Sequence, residues 1–339
     1  MAGYDIAVDL GTGTITVFVA GRGIVYKQAN AATIDKSTGE VVAFGDSAFE
    51  MIERTPDTLE CILPMRSGAV SHFNILCHMT EGIINKICKN SIFRPNIMVN
   101  TPVGLTPPEK RTLISMLSSG SAGRVSLIET PVAAALGAGL RIDAPHGVMV
   151  VDIGAGTTDI SVLTMRTPAC FSTLRFGGND MNDAICQYIK KERGYTIGIH
   201  TSEKIKRTVG CAYLPEEELE LSVSGKEYVT GIPMLFSVTS SEIYDSLKDC
   251  ISLIASGILD VLEETPPELY SDICSDGIML TGGAAKLRGL PQALSDMLKI
   301  PVVISPDSEN CAAKGAGIAL KNIREYEDMG FVFRIKEQV

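Results

Sequence analysis

The sequence is short of several features that mark large classes of protein. Lys and Arg number 30 against 40 for Asp and Glu, which gives the 339 residues a formal net charge of −10. A nucleic-acid-binding protein normally carries a basic face, so this balance argues against a nucleic-acid partner. It also argues against simple electrostatic docking to anionic lipid. No apolar run approaches the roughly 18–20 residues that cross a bilayer, and no signal peptide is visible, so we expect a cytoplasmic protein.

Nine cysteines and four histidines are present, but they form no metal-binding or disulfide pattern. The cysteine count is odd and no two form Cys-x-x-Cys, which is typical of reduced thiols in a reducing compartment. The histidines form no His-x-x-Glu-His set, so a zinc site is not expected. A Gly-x-x-x-x-Gly-Lys-Ser/Thr loop is also absent, which argues against a Walker A nucleotide site.

A strand–turn–strand unit occurs twice in the sequence. Residues 4–19 read YDIAVDLGTGTITVFV and residues 147–162 read GVMVVDIGAGTTDISV, so that Asp9 corresponds to Asp152 at an offset of 143 residues. Each copy has an apolar run, an Asp, a Gly-x-Gly-Thr turn and a second run, which predicts a β-hairpin. One copy would be an ordinary hairpin, whereas two in register favour a shared role. A Rossmann site fits poorly, because there the glycines lead into a helix.

The residue types of the two turns suit a phosphate group with a metal ion. Glycines let backbone N–H groups approach an anion closely, and threonine hydroxyls add donors. A carboxylate before each turn can hold hydrated Mg²⁺. Two such hairpins facing each other would clamp a triphosphate from both sides. The candidate residues are Gly11, Thr12, Gly13, Thr14, Gly154, Ala155, Gly156 and Thr157 for phosphate, and Asp9 and Asp152 for the metal through water.

The rest of the chain alternates strands and helices in two halves. Thr281-Gly282-Gly283 lies between a predicted strand and a predicted helix, where a helix N-terminus can meet a phosphate or nucleoside. A plain tight turn explains these glycines equally well. The overall order predicts an α/β duplication with a cleft between the halves.

These motifs together resemble the actin-like ATPase superfamily, which includes actin, heat-shock chaperone ATPases and sugar kinases. Asp9-Leu-Gly-Thr-Gly-Thr and Asp152-Ile-Gly-Ala-Gly-Thr-Thr-Asp look like its two phosphate motifs, and Thr281-Gly-Gly looks like its adenosine motif. Further stretches narrow the resemblance to the MreB/Mbl family of bacterial actin homologues. They are ILPMRSG at 62–68, FRP at 93–95, TPVGLT at 101–106, GGNDMNDAI at 177–185, TPPEL at 265–269 and KGAG at 314–317.

The resemblance covers the chain essentially end to end and implies an actin-like α/β fold. Two ribonuclease-H-like lobes would flank a nucleotide cleft, and each would carry a small inserted subdomain. Lobe I would span 1–145, with its insertion near 33–70, and residues 320–339 would return to it. Lobe II would span 146–319, with its insertion near 180–243.

The same resemblance implies that ATP or ADP binds in the cleft with Mg²⁺. Glu203, Lys204 and Lys206 would lie at the ribose and base. The adenosine side would be formed by Gly282, Gly283, Ala284 and Lys286. Without the resemblance, a solvated helix face would be the better interpretation of Glu203 and Lys206.

Family members polymerise head to tail with ATP into paired filaments on the inner face of the cell membrane, where they organise cell-wall synthesis and maintain rod shape. The implied partners are therefore further copies of the chain, the membrane and the cell-wall elongation machinery. Some members attach by an N-terminal amphipathic helix, which is not expected here. Others use an apolar pair on a loop, a place occupied by Ile92 and Phe93. The alternative is that this pair packs into the core.

One position departs from the family pattern in a way that bears on hydrolysis. In the family, a Glu directly before the Pro of a Glu-Pro-x-Ala-Ala-Ala helix positions the attacking water, whereas here Thr130 precedes Pro131. The preceding Glu129 would point to the opposite face of an extended strand. Threonine has no carboxylate to polarise water, so we expect slow or impaired hydrolysis. The candidate catalytic positions are Thr130 and Thr157.

Two other functions on this fold remain open at this point. A small-molecule kinase would need a substrate pocket and a catalytic Asp base in the cleft, and no such motif stands out. A chaperone-like ATPase would normally carry a substrate-binding domain after the lobes, where this sequence reaches Val339.

Overall fold

A computed structural model describes residues 4–89, 93–118, 122–214, 217–328 and 332–333. Within these ranges, no helix has both the length and the apolar character needed to cross a membrane.

The first half of the chain builds a large sheet with smaller β-structure beside it. Its strands are β1 (Asp5–Leu10), β2 (Thr14–Val19), β3 (Gly23–Ala29), β4 (Ala32–Asp35), β5 (Val41–Phe44), β6 (Leu59–Ile62), β7 (Met65–Arg66), β8 (Ala69–Val70), β9 (Asn96–Thr101) and β10 (Arg124–Glu129). Its helices are α1 (Asp46–Glu50), α2 (Phe73–Ile87), α3 (Pro107–Ser118) and α4 (Thr130–Gly137).

The second half repeats this mixture of strands and helices. Its strands are β11 (Val148–Ile153), β12 (Thr158–Thr164), β13 (Thr167–Leu174), β14 (Tyr195–Thr196), β15 (Glu220–Glu227), β16 (Pro233–Thr239), β17 (Ile278–Thr281), β18 (Val302–Ile304) and β19 (Val332–Phe333). Its helices are α5 (Gly178–Tyr188), α6 (Ile199–Thr208), α7 (Ser240–Glu264), α8 (Pro267–Asp276), α9 (Leu290–Leu298), α10 (Cys311–Lys321) and α11 (Ile323–Asp328). Short 3₁₀ turns lie at Ala284–Lys286 and Ser308–Asn310.

The two large sheets share one plan. The first has the order β19-β10-β9-β1-β2-β3, and the second has the order β13-β12-β11-β17-β18. In each, the first hairpin strand lies between its antiparallel partner and a parallel strand. Asp9 pairs with Thr16, and Asp152 pairs with Asp159 at the same register. The two equivalent hairpins predicted from the repeated motif are therefore confirmed.

Besides the two-stranded pairing of β7 with β8, two smaller sheets lie outside this common plan. Strand β4 pairs with β5 and β6, and strand β15 pairs with β14 and β16. These sheets span residues 32–62 and 195–239. Near the C-terminus, β19 pairs with β10 at the edge of the first large sheet. The lobe boundaries assigned from the sequence remain a prediction.

Helices α4 and α10 pack against each other in the layer between the large sheets. The helices share one buried cluster with side chains of both sheets, among them Ala7 and Val150. A Cβ built on Gly137 would lie 1.8 Å from the carbonyl oxygen of Cys311, and a Cβ on Gly315 would lie 1.7 Å from that of Ala133. The helix backbones therefore touch, which only glycine allows at these two positions.

Candidate functional site

The two glycine turns are closed by the same hydrogen bond. The Gly11 N–H donates to the carbonyl oxygen of Thr14 at 3.0 Å, and the Gly154 N–H donates to that of Thr157 at 2.8 Å. Both turns line a cleft of about 1460 Å³ that also contains residues of both large sheets. Each turn thus presents backbone and threonine groups to one shared space.

The turns also touch each other. A Cβ on Gly13 would lie 2.6 Å from the Cβ of Ala155, and a Cβ on Gly156 would lie 2.7 Å from the Cγ2 of Thr12. Glycine at these positions is therefore required by the neighbouring turn. This close approach forms a narrow floor of backbone and threonine groups, which are groups that can bind phosphate.

A third segment, the tip between β7 and β8, reaches both turns. The Gly68 N–H donates to the Thr12 hydroxyl at 3.0 Å. A Cβ on Gly68 would lie 2.6 Å from the Cγ2 of Thr157, and the φ of this glycine is +76°. The sequence motif ILPMRSG, noted only for its family resemblance, therefore contributes its last glycine to the cleft wall.

Asp9 is the next-to-last residue of strand β1 and lines the cleft. Burial raises its pKa to about 6, and this rise is limited by the Asn100 amide and by the positive charge of Lys27. A carboxylate kept from water in this way gains from a bound cation, which favours its ionised form.

Asp152 occupies the same place in the second sheet. Burial raises its pKa to about 7; the Thr281 hydroxyl, which donates to its Oδ1 at 2.6 Å, acts against this rise. The negative charges of Asp159 and Asp9 raise the pKa further. Oxygen donors of this kind suit a hard divalent cation, so the carboxylates and glycine turns together fit Mg²⁺ with a phosphate-bearing ligand.

Asp159 is a buried carboxylate of the cleft that the sequence reasoning did not select. Burial raises its pKa, and hydrogen bonds from Thr173, at 2.6 Å, and Thr157, at 3.4 Å, oppose the rise. The signal was present, because Asp159 stands opposite Asp152 in the register of the second hairpin. The equivalent residue of the first hairpin is the uncharged Thr16, so the two halves of the cleft are not electrostatically equal.

Glu203 and Lys206 face the cleft from helix α6 and bind each other. The Lys206 Nζ lies 2.8 Å from the Glu203 carboxylate and donates to the carbonyl oxygen of Gly178 at 2.6 Å. Burial raises the pKa of Glu203, but Lys206, Asn182 and Arg207 outweigh it and lower the pKa to about 2. This pair is therefore a fixed, ionised element of the cleft wall.

Lys204 is the cofactor-site candidate that the structure does not bring to the cleft. It is exposed and lies outside the cleft lining. Successive residues of an α-helix differ in direction by about 100°, so the residue next to Glu203 turns away when Glu203 faces inward.

The Thr281-Gly-Gly segment also borders the cleft. Gly282 has a φ of +87°, and a Cβ there would lie 2.2 Å from the carbonyl oxygen of Ile153. Its N–H donates to the carbonyl oxygen of Ser308 at 2.9 Å. Three further predicted residues line the cleft beyond it: Gly283, Ala284 and Lys286.

Thr130 lines the cleft at the start of helix α4, whereas Glu129 does not. The Thr130 hydroxyl donates to the carbonyl oxygen of Thr101 at 3.0 Å. The Glu129 carboxylate pairs instead with Lys110, at 3.5 Å. The two side chains thus leave the chain in different directions, and the Glu129 carboxylate does not take the place of Thr130.

The apolar pair suggested for membrane contact is covered only in part. Ile92 lies outside the described residues. Phe93 is described, and 54% of its surface is exposed.

The sequence matches a known protein family over nearly its whole length. The family model described as MreB/Mbl protein matches residues 3–328. The chain is 39% identical to the cell shape-determining protein Mbl of Bacillus cereus, over 95% of this chain and 97% of that protein. It is 38% identical to the cell shape-determining protein MreB of Escherichia coli, over 95% of each chain.

Solved structures give the same result for the fold. The crystal structure of Spiroplasma citri MreB5 bound to ADP is similar with a TM-score of 0.92 and 28% identity, covering 97% of this chain and 99% of that one. A MamK double helical filament subunit has a TM-score of 0.80 at 20% identity, covering 95% of this chain and 99% of that one. These likenesses confirm the actin-like α/β fold predicted from the sequence motifs.

Proposed function

Because the chain belongs to the MreB/Mbl family of actin-like cell shape-determining proteins, we propose that it is an ATP-dependent filament protein of the bacterial cytoskeleton. It binds ATP or ADP with Mg²⁺ in the cleft and polymerises head to tail into paired protofilaments. Its filaments act at the inner face of the cell membrane, where they organise the cell-wall elongation machinery and help to determine rod shape.

The observation that carries this proposal is the pair of touching glycine turns, each preceded by a buried carboxylate. The N–H groups of Gly11 and Gly154 close the turns, so the backbone N–H and hydroxyl groups that follow them in each turn would bind phosphate oxygens. Asp9 and Asp152 would hold Mg²⁺ through water. The ion, when bound, neutralises phosphate charge and activates the terminal phosphorus. Crystal structures of S. citri MreB5 are bound to ADP and to AMPPNP, which supports nucleotide binding by this chain.

The walls of the cleft orient the rest of the nucleotide. Glu203 and Lys206 are fixed by their mutual ion pair, so they offer the ribose and base preorganised polar groups at little entropic cost. Gly282 lets the Thr281-Gly-Gly segment pack against the end of β11, because a side chain there would collide with the carbonyl oxygen of Ile153. This packing would hold Gly283 at the adenosine side of the cleft. These residues bind and orient, and none of them needs to react.

Hydrolysis is slow in this proposal. The Thr130 hydroxyl is engaged with Thr101, and Glu129 is held by Lys110 outside the cleft. Neither residue is placed to orient a water with a carboxylate. The filament would therefore remain in its ATP-bound form for long periods.

Membrane contact would come from the loop that carries Ile92 and Phe93. The exposed ring of Phe93 offers apolar area to a bilayer. One such contact per copy is weak, but a filament repeats it many times, and the combined attachment grows through effective concentration. The net charge of −10 gives no general attraction to anionic lipid.

The proposal is tested by nucleotide binding, sedimentation and electron microscopy of the purified full chain. With Mg-ATP, the chain should bind nucleotide in calorimetry, pellet as filaments and recruit vesicles of bacterial lipid composition. Gly13→Val, checked for folding by circular dichroism, should lose nucleotide binding and pelleting, because the side chain would collide with Ala155. ATP-dependent phosphate transfer to a sugar without filament formation would contradict the proposal in favour of a kinase.

A further inference from the structure

A cluster of three charged side chains lies on the cleft surface. The Glu309 carboxylate binds both the Lys27 and the Lys286 ammonium groups. All three residues line the cleft. Only Lys286 was selected from the sequence, and it was selected for the adenosine side alone.

Lys27 belongs to the first sheet. It pairs with Thr16 across β2 and β3, and Thr16 pairs with Asp9 across β1 and β2. Directly paired residues of neighbouring strands project from the same face, so Lys27 and Asp9 share the cleft face of this sheet.

Glu309 belongs to a segment anchored on the second sheet. This segment, residues 305–310, follows β18; the Ser305 N–H donates to the carbonyl oxygen of Leu280 at 3.0 Å. The carbonyl oxygen of Ser308 accepts from Gly282, as described above. The Lys27 Nζ also donates to the Oδ1 of Asn310 at 3.1 Å. The contact therefore runs from a strand of one sheet to a loop fixed on the other.

The ion pair between Lys27 and Glu309 is partly shielded from solvent. The side chains of Lys27 and Glu309 are 29% and 33% exposed. Hydrogen bonds from Lys27 and Lys286 lower the pKa of Glu309 to about 2, so the carboxylate is ionised at neutral pH. Charge-assisted hydrogen bonds in such surroundings are stronger than those of a fully exposed pair.

We propose that Glu309 is a positioning residue for nucleotide binding, which ties Lys27 of the first sheet to the adenosine side of the second and so presets the spacing of the cleft walls. This inference rests on the proposed binding of nucleotide. The tie lowers the cost of ordering the cleft when nucleotide binds, because part of the required geometry is already present.

The contact between Lys27 and Glu309 and simple charge attraction predict opposite effects on ATP affinity when Glu309 is removed. The complex of a nucleoside triphosphate with Mg²⁺ is anionic. If only net charge mattered, removing the negative charge of Glu309 would therefore strengthen ATP binding. If Glu309 presets the walls, removing it weakens binding, as removing Lys27 does. The sign of the Glu309 effect therefore separates the two explanations.

The experiment measures the Kd of Mg-ATP for wild type, Lys27→Met, Glu309→Gln and the double variant by calorimetry. Each single variant should raise the Kd by about threefold to tenfold. The Kd of the double variant should not exceed the higher of the two single-variant values. Arg193→Met is the matched control, since it breaks an ion pair with Glu242 that lies within the second half of the chain. It should leave the Kd unchanged.

A second measurement tests the contact between Lys27 and Glu309 in the absence of nucleotide. Amide hydrogen exchange at residues 9–14 and 152–157 should rise several-fold in Lys27→Met and Glu309→Gln, and should not rise in Arg193→Met. Tighter ATP binding by Glu309→Gln, additive effects in the double variant, or unchanged exchange in both single variants would overturn the inference. If wild type binds no ATP, the proposed function fails, while the exchange comparison still decides whether the tie exists.

Discussion

Thr130 is the single residue with the most direct bearing on nucleotide hydrolysis. Thr130→Glu should raise phosphate release from ATP by up to about a hundredfold, because a carboxylate would then face the cleft and polarise water. Phosphate release at saturating Mg-ATP is the measurement. The control, Thr130→Gln, has a similar size and no charge, and should release phosphate at about the wild-type rate. A wild type that already matches Thr130→Glu would contradict the role assigned to Thr130.

Glu203 gives a pH-dependent prediction for stability. Its folded-state pKa of about 2 lies below its ordinary value of 4.5, so its contribution is complete above pH 4.5 and is lost as the pH falls toward 2. Glu203→Gln should lower the free energy of unfolding by about 2 kcal/mol at pH 7, since Lys206 stays buried without its counter-ion. Urea unfolding at pH 7 and pH 3 should show the difference narrowing at the lower pH.

The control for this prediction is Glu192→Gln. Glu192 pairs with Lys191 at 3.2 Å, but both side chains are well exposed, and exposed pairs contribute little. It should change the free energy of unfolding by less than about 0.5 kcal/mol at either pH. A Glu203→Gln effect equally small, or one that stays constant between pH 7 and pH 3, would contradict the assignment.

Single residues also show where sequence reasoning stops. The glycines and aspartates of the turns were predictable because their spacing is local and carries its own chemistry. Lys27 and Glu309 are 282 residues apart, and only the pairing of β2 with β3 and the fold of the 305–310 segment bring them together. Lys204 was expected at the ribose and base, but it is exposed and lies outside the cleft lining. A local motif gives the order of residues along a helix, but not which side of the helix faces the cleft.

Among the structural elements, helices α4 and α10 depend most strongly on small residues. The run of alanines in α4 can be read in the sequence, but it does not identify α10 as the partner. Long-range pairings of this kind follow from the tertiary fold, which a local sequence pattern does not give.

The helix pair gives a test with an internal control. Gly315→Ala should lower the free energy of unfolding by about 3 kcal/mol, because the added Cβ would lie 1.7 Å from the Ala133 carbonyl oxygen and force the helices apart. Gly82→Ala makes the same change in α2, where nothing lies within 4 Å. It should be neutral or stabilise by up to about 1 kcal/mol. Equal effects in denaturant unfolding would contradict the packing argument.

At the scale of the whole molecule, a group of exposed apolar side chains lies on the β15–β16 hairpin. Val229, Ile232 and Leu235 are 88%, 55% and 79% exposed around its tip. Isolated apolar residues are ordinary on a protein surface, whereas a group of them marks a contact surface. In the filament proposed above, the next copy of the chain is the partner that would cover this tip.

Assembly should therefore respond to charge at the hairpin tip while nucleotide binding does not. Leu235→Glu should raise the concentration of protein needed for ATP-dependent pelleting by about tenfold or more, since a buried unpaired carboxylate is costly at an interface. Leu235→Met keeps the apolar character and should pellet nearly as wild type does. The Kd for Mg-ATP should be the same in all three proteins, because the tip lies outside the cleft lining. Normal filaments of Leu235→Glu at wild-type concentrations would show that the hairpin tip faces solvent in the assembly, and the contact between copies would then have to lie elsewhere.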